Sequence, residues 1–382
     1  MFFNLKKILS NFIEFLDNQK KKKEIIFYSE GSHDSIYFEG IIEILSKKFN
    51  KEVIILTSEE DDIIFKLKSN NVKIFYIGSG FFRTITFFLI KSKIFVMSLP
   101  DLENYYLKKS RVYNTKYIYI FHSVSSSNAA YNKKAFDNYD YIFCRGQHQI
   151  NEILENENLN NLKKKILVEH GCPIFDKISK DFKEEIKNPL NILIAPSWNK
   201  TKELIDLDFD KIIQDLLSMK FKVTIRLHPM TIKRKFSKID QLKKKFSDID
   251  SFKLSQNMEN KNDLYENDLL ITDWSGISWE FSLMLGKPTL FINTPKKIMN
   301  SDYDKFSNKA VEIDLRNKIG FVCDIDQIND MIKKFQTNQF INEFRQNKMK
   351  NILKYRNMMF FNHGRSSEIG AQKILDILEK KL

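Results

Sequence analysis

His122 stands directly after the apolar run KYIYIF and directly before SVSSSN, a stretch of small hydrogen-bonding residues. Imidazole titrates near neutral pH, so a histidine poised there is suited to take a proton from a hydroxyl-bearing acceptor. His33 closes SEGSH, which follows EIIFY, and is a second candidate for that role, with Ser29 and Gly31 beside it. Ser123 and Ser125 follow His122 and add hydroxyls on the same acceptor side. RLHP sets Arg226 and His228 at alternate positions of one strand, on a shared face, before Pro229 turns the chain. Protonated, His228 would neutralise a departing phosphate; a core histidine bonded to backbone is the alternative.

The strongest local signal is TDWSGISWEF. A strand ends at Thr272 and Asp273, and Ser275-Gly276 opens a helix. Unused backbone N–H groups and the positive end of the helix dipole then make a phosphate cradle, with Ser275 and Ser278 as further donors. Asp273 or Ser275 acting only as a helix cap is the plainer alternative. Glu280, one turn in, either accepts from a ribose hydroxyl or faces solvent. Pro196, Ser197 and Trp198 follow the run NILIA and present polar and aromatic groups at another strand end.

Other chemistries lack their residues. Gly78-Ser-Gly80-Phe-Phe-Arg83 begins like a dinucleotide fingerprint, but arginine stands where the third glycine belongs; it reads as a tight strand–helix turn. No G-x-x-x-x-G-K-[ST] loop and no G-x-S-x-G turn occurs. The histidines are scattered, without H-x-x-x-H or H-E-x-x-H spacing, so no metal site is expected. Cys144, Cys172 and Cys323 lie far apart, which excludes a disulfide framework or zinc ribbon and fits a reducing compartment.

Short apolar runs must position these residues. EIIFYS, EVIILT, KIFYIG, KIFVMS, KYIYIFHS, DYIFCRG and KILVEHG read as buried strands, with helical stretches between several of them. Repeated β-then-α is the signature of a parallel sheet covered on both faces. The pattern pauses between about Ile178 and Leu190, where the polar SKDFKEEIKNPL ends in an Asn-Pro turn signal. It resumes with NILIAPS, KVTIRLHP, DLLITDWS, PTLFINTP and AVEIDL, with helices around Asp206–Met219, Ser275–Leu285 and Asp326–Phe335. Two α/β domains are expected, residues 1–185 and 186–382, the second ending in an amphipathic helix over about Glu368–Leu382. Ligands of open parallel sheets bind beyond the carboxyl ends of the strands, which suits a cleft between the two domains.

A length of 382 residues is comfortable for two domains, and 42% hydrophobic with 29% charged residues is globular rather than disordered. The formal charge of +13 suggests an anionic partner: nucleic acid, phosphate-bearing substrate or membrane surface. A mix rich in Lys, Asn, Ile and Phe is equally what an AT-rich coding sequence yields. Scarce arginine and the lack of a recognition motif argue against nucleic acid. The start, MFFNLKKILSNFIEFL, has no signal-peptide cleavage site, and Phe81–Leu99 is broken by Arg83, Lys91 and Lys93, too interrupted to span a bilayer. Phe2, Phe3, Leu5, Ile8, Leu9, Phe12, Ile13 and Leu16 form an apolar stripe, with cations at Lys6, Lys7 and Lys20–Lys23. That fits an interfacial helix on anionic lipid, or an ordinary helix packed on the first sheet.

Taken in order, FHSVSSSNAAYNKKAFDNYDYIFCRG, VEHGCPIFD, ILIAPSWNK, TIRLHPM, NDLLITDWSGISWEFSLMLGKPTLFINTP and HGRSSEIGAQKIL resemble one family over about residues 116–372. It is the CDP-glycerol glycerophosphotransferases, the teichoic-acid primase- and polymerase-like group. The resemblance implies a GT-B-like pair of Rossmann-type, doubly wound domains facing a cleft. It implies transfer of glycerol or ribitol phosphate from a CDP-activated donor to a hydroxyl of a cell-surface glycan or lipid-linked acceptor, releasing CMP. By position, His122 takes the place of the family's His-Gly histidine, the base, and His228 that of the His-Pro histidine near the pyrophosphate. Ser275 and Gly276 stand where paired serines contact the donor phosphate, and Glu280 where an aspartate is usual. Pro196, Ser197 and Trp198 would wall the cytidine, with Arg226, Asp273 and Ser278 also on the donor side. Ser123 replaces the glycine after the histidine, and GCPIFDK lacks the arginine of the family's G-Y-P-R-x-D segment. No cofactor is expected beyond Mg²⁺ travelling with the pyrophosphate. The expected location is cytoplasmic, peripheral at the inner face of the plasma membrane. Two rivals are a GT-B glycosyltransferase using a CMP-, UDP- or GDP-sugar in capsule or lipopolysaccharide synthesis, and a non-catalytic binder of anionic polymer or membrane.

Overall fold

The computed structural model describes residues 2–20, 23–176, 191–255 and 262–382. The chain divides into two compact units, one of Met1–Lys180, Met299–Asn308 and Met359–Leu382, the other of Asp181–Ile298 and Lys309–Met358. The expected boundary near residue 185 lies outside the described residues.

In the first unit, β1 (Lys23–Ser29), β2 (Val53–Thr57), β3 (Val72–Tyr76), β4 (Ser92–Met97), β5 (Lys116–Ile120), β6 (Tyr141–Cys144) and β7 (Ile166–Glu169) form one sheet of order β3-β2-β1-β4-β5-β6-β7. All neighbours are parallel. Ile25 and Phe27 pack on one face with Val53, Ile55, Ile94 and Val96, while Ile26 and Tyr28 pack on the other with Ile54, Leu56, Phe95 and Met97. A sheet buried on both faces needs apolar residues at successive positions, which is why these strands read as continuous runs. The chain builds outward from β1 to β3 and then returns to place β4 against β1. The carboxyl ends of β1 and β4 are therefore the switch point where such sheets form ligand crevices.

The second unit repeats this plan with β8 (Asn191–Ile194), β9 (Lys222–Arg226), β10 (Phe252–Ser255), β11 (Leu269–Thr272), β12 (Thr289–Ile292) and β13 (Phe321–Cys323), in the order β10-β9-β8-β11-β12-β13. Its pairs are also parallel, and its switch point lies between β8 and β11. The segment AVEIDL is not a strand. Val311–Ile319 is a helix that buries Leu315 and Ile319, one turn apart, and the edge strand is β13 just beyond it. Strand β10, carrying Lys253 among four residues, was also not anticipated.

The C-terminal helix, Ser366–Leu378, belongs to the first unit rather than to the second sheet as expected. Ala371, Ile374, Leu375 and Ile377 join the core cluster of Ile41, Ile42 and Leu45. The N-terminal helix, Phe2–Asn18, packs on the β3 edge: Phe15 is fully buried against Phe75 at 5.7 Å, and Phe12 meets Phe82 at 5.5 Å. Asn11 Oδ1 accepts from the Tyr76 N–H at 3.0 Å, satisfying a donor on that edge strand. Leu5, Leu9 and Ile13 stay exposed. Lys7 pairs with Glu60, Lys20 with Asp17 and Lys23 with Glu52, so these cations are met by the protein's own acids; Lys21 and Lys22 lie outside the described residues. Among the described residues no helix is long and apolar enough to cross a membrane.

Candidate functional site

At the carboxyl edge of the first sheet, His122 follows β5 and sits half-buried. Its Nδ1 lies 3.0 Å from the Ser98 carbonyl, which follows β4. A carbonyl only accepts, so the neutral ring carries its proton on Nδ1 and its lone pair on Nε2. Nε2 has no protein partner among the described residues. Burial holds the imidazole below the ordinary histidine value, the Asp34 carboxylate opposes that shift, and the Arg145 guanidinium adds to it. Both effects on His122 come from groups that sequence reasoning missed. Asp34 is buried and accepts from the Glu30 N–H at 3.1 Å. Arg145, fully buried after β6, donates through Nε to the Phe121 carbonyl at 2.7 Å and fixes the backbone entering His122.

The serines expected on the acceptor side are bonded within the first unit. The Ser29 hydroxyl donates to the Gly31 carbonyl at 2.6 Å and accepts from Ser35 at 2.9 Å. The Ser123 hydroxyl donates to Ser125 at 2.9 Å, and the Gln149 amide donates to both their carbonyls. Glu152 receives the Ser126 hydroxyl and both the N–H and hydroxyl of Ser127. His33 is exposed, with Nε2 3.9 Å from the Asp34 carboxylate. Gly78 and Gly80 have φ of 62° and 88°, left-handed values that glycine adopts freely, and open the helix Phe81–Leu89 as a tight turn. Arg83 from that helix donates to Glu30 at 3.1 Å.

At the carboxyl edge of the second sheet, Asp273 follows β11 and is buried. It accepts from the Ser197 N–H at 2.7 Å and from the Thr294 hydroxyl at 3.2 Å, so it ties the β8 and β12 loops together rather than capping a helix. Burial raises its pKa and these hydrogen bonds oppose the rise. The Thr272 hydroxyl donates to the Ala195 carbonyl, next to Pro196, at 2.6 Å. Trp198 is half-buried with three basic side chains around its ring: Lys297 at 5.1 Å, Arg234 at 6.0 Å and His228 at 6.1 Å. Arg316 lies 3.9 Å over the Trp274 ring and donates to the Ile292 carbonyl at 3.1 Å; burial lowers its pKa to about 10.

The helix after Asp273 is shorter and looser than expected, with π-type turns over Trp279–Met284. The Ser278 N–H and hydroxyl both donate to the Ser275 carbonyl, so Ser278 is spent inside the turn. The N–H groups of Ser275, Gly276 and Ile277 make no hydrogen bond among the described residues. Glu280 lies in the first π turn, half-buried. Arg226 ends β9 in register with Ser255, and His228 lies past the strand, so the two do not share a strand face as expected. Instead His228 Nδ1 accepts from the Met230 N–H at 3.1 Å and caps the helix Pro229–Arg234. A neutral His228 therefore carries its proton on Nε2, the opposite tautomer to His122. Sequence reasoning also missed Thr294, Lys297 and Arg316; the one available signal was the pair Lys296-Lys297 in NTPKK just after β12. Among the described residues no cluster of three or more His, Cys, Asp or Glu side chains forms a metal-holding group.

The family model for CDP-Glycerol:Poly(glycerophosphate) glycerophosphotransferase matches residues 10–376. A search of curated proteins finds no match. The structure of the wall teichoic acid polymerase TagF is similar, with a TM-score of 0.62 at 14% identity, covering 100% of this chain and 99% of that chain. The S. aureus MnaA–UDP co-structure gives 0.62 at 12% identity, covering 94% and 97%. The UDP-GlcNAc 2-epimerase from Methanocaldococcus jannaschii gives 0.51 at 15%, covering 94% and 99%. At such identities the likeness speaks for the fold: two parallel-sheet α/β domains of the GT-B kind. Since the family match runs through both sheets, the chain belongs to the CDP-glycerol:poly(glycerophosphate) glycerophosphotransferase family and is a transferase of that kind.

Proposed function

We propose that this transferase moves glycerol phosphate or ribitol phosphate from a CDP-activated donor to a hydroxyl of a teichoic-acid-like glycan or lipid-linked acceptor, releasing CMP. The observation that carries this is His122, whose Nδ1 is held by a carbonyl while Nε2 has no partner among the described residues at a strand end, in a chain that matches the family over residues 10–376. His122 Nε2 takes the acceptor proton as the acceptor oxygen bonds to the β-phosphorus and the bond to the CMP oxygen breaks. In-line transfer of this kind depends on alignment and charge neutralisation more than on covalent help. His228 Nε2–H and the N–H groups of Ser275, Gly276 and Ile277 supply donors to the diphosphate, and Trp198 offers its face to the base. Mg²⁺ enters only as a companion of the diphosphate. The test is CMP release from CDP-glycerol and CDP-ribitol with a lipid-linked acceptor; no turnover with any CDP-polyol overturns the proposal. A nucleotide-sugar donor is a second reading, favoured by the fold likeness to the UDP-bound MnaA structure, and a thermal-shift panel of CMP-, UDP- and GDP-sugars separates the two.

The same enzyme is proposed to work on the cytoplasmic membrane face. Leu5, Leu9 and Ile13 line one side of the N-terminal helix and are 52%, 44% and 53% exposed. Lys7, Lys20 and Lys23 are ion-paired, which leaves Lys6 among the described cations of this helix to act beside the apolar stripe, so the proposed contact is apolar more than electrostatic. Leu9→Asp should lower vesicle binding more than added salt does; a purely salt-sensitive association would overturn it.

A further inference from the structure

We infer that Lys297 is the anchor for the donor's diphosphate, a role that rests on the nucleotide-donor reading above. The loop carrying it is pinned from two sides. The Thr294 carbonyl accepts from Trp274 Nε1 at 3.0 Å, and the Thr294 hydroxyl donates to Asp273 at 3.2 Å. The next carbonyl, Pro295, accepts from the Asn199 side-chain amide at 3.0 Å. These bonds hold the loop between the β8 loop and the β11 turn, and they set Lys297 Nζ 5.1 Å above Trp198.

Lys297 has no ion pair and no hydrogen bond among the described residues. The carboxylates whose charge reaches it are Asp273, Glu312 and Glu203. Asp273 is occupied by Ser197 and Thr294, and Glu203 accepts from the Asn199 N–H at 3.3 Å and the Thr231 hydroxyl at 2.9 Å. Burial lowers the pKa of Lys297, and those three carboxylates only partly oppose the shift. A partly desolvated ammonium without a paired acceptor gains from an anion that arrives to meet it. Besides these carboxylates, two further cations stand close by. Arg316, buried behind Trp274, leaves its Nε without an acceptor, and Arg234 shares the Trp198 ring. The β11 turn that holds the Lys297 loop through Trp274 is also the turn whose Ser275, Gly276 and Ile277 N–H groups make no hydrogen bond among the described residues. A point cation on a loop tied to a turn with successive unpartnered N–H groups offers a recognition set for phosphate oxygens.

The experiment is calorimetric titration of the full chain with CDP, cytidine and inorganic pyrophosphate, for the wild type, Lys297→Gln and Lys297→Arg. Lys297→Gln should weaken CDP and pyrophosphate at least about tenfold, the scale of a lost charge-assisted bond, and leave cytidine binding unchanged. Lys297→Arg should keep most of the affinity. Thermal unfolding of both variants should match the wild type, showing that the loss is local. Equal CDP binding by wild type and Lys297→Gln overturns the assignment, as does an equal loss for cytidine. If the wild type prefers UDP or GDP and Lys297→Gln weakens that ligand instead, the CDP reading fails and the anchor stands.

Discussion

At the carboxyl edge of the first sheet most polar groups are bonded to one another, whereas at the edge of the second Lys297, Arg234 and the N–H groups of Ser275, Gly276 and Ile277 have no acceptor among the described residues. Ser29 and Ser35, Ser123 and Ser125, and Glu152 with Ser126 and Ser127 form closed networks, and His122 Nε2 and the buried Ser98 hydroxyl have no partner among the described residues. Around Trp198 and Trp274, Lys297, Arg234 and Arg316 collect instead. The two histidines follow the same division. His122 is locked with its lone pair at Nε2, and His228 with its proton there. In the reaction proposed above, the first edge supplies the proton acceptor and the second the groups that meet negative charge, although both sheets share one topology.

Removing His122 is the sharpest way to break that contrast. His122→Ala should lower kcat by about 10²–10⁴-fold, the usual range for a lost general base, with CDP affinity unchanged. His228→Ala should instead weaken CDP binding. Because burial lowers the His122 pKa, the acid limb of kcat/KM should lie below the ordinary histidine value of 6.5. Parallel effects of both variants on donor affinity would erase the division of labour.

Much of this arrangement is legible in the sequence where function and strand end coincide. His122 and Asp273 each directly follow an apolar run, so topology alone places them at a carboxyl edge. Lys297 was not legible, because its place depends on Trp274 bonding Thr294 and Asn199 bonding Pro295 across long sequence separations. AVEIDL misled because its period-2 alternation competes with the one-turn spacing of Leu315 and Ile319, which wins once the helix buries them. The C-terminal helix was visible as an amphipathic stripe, but a stripe does not say which sheet it will cover.

Acid should separate the two units. His148 and His170 are buried in the first unit, and burial lowers their pKa values to about 4 and about 3. An unfolded histidine titrates near 6.5, so between these values the unfolded chain binds protons that the folded unit refuses. Their contribution is full above pH 6.5 and falls at about 1 kcal/mol per pH unit each as pH drops toward 4. Glu30 and Asp137, raised mainly by burial but partly exposed, oppose this weakly. The second unit contains a single histidine, His228, and its Asp273 has the opposite sign: its raised pKa makes the folded form bind a proton more readily as pH falls. Hydrogen exchange at pH 7 and pH 5 should show the first unit losing protection first; equal loss in both would contradict it.

Asp273→Asn tests the second edge more gently. One of the Ser197 N–H and Thr294 hydroxyl donors loses its carboxylate acceptor, at a cost of about 1–2 kcal/mol in urea unfolding. Donor affinity should fall with it, because the loop carrying Lys297 loosens. A variant as stable as the wild type, with unchanged CDP binding, would remove Asp273 from the positioning of that loop.

Arg234→Ala should show the smallest effect and is informative for that reason. Arg234 is exposed and sits 6.0 Å from the Trp198 ring, so it contributes at most a solvated cation–π contact and a screened charge. Contacts of this kind are worth about 0.5 kcal/mol, or roughly a twofold change in CDP affinity. Surface charge is screened over a Debye length of about 8 Å at physiological ionic strength, so the Arg234 effect should vanish in high salt. Lys297 is held closer to the ring, is partly desolvated and sits on a loop tied to the β11 turn, so its effect should persist under the same conditions. The two lie over one ring and differ mainly in burial. Titrating CDP into both variants at low and high salt therefore asks whether the second edge binds anions through a built site or through a diffuse basic surface. Two effects that shrink together as salt rises would favour the diffuse surface.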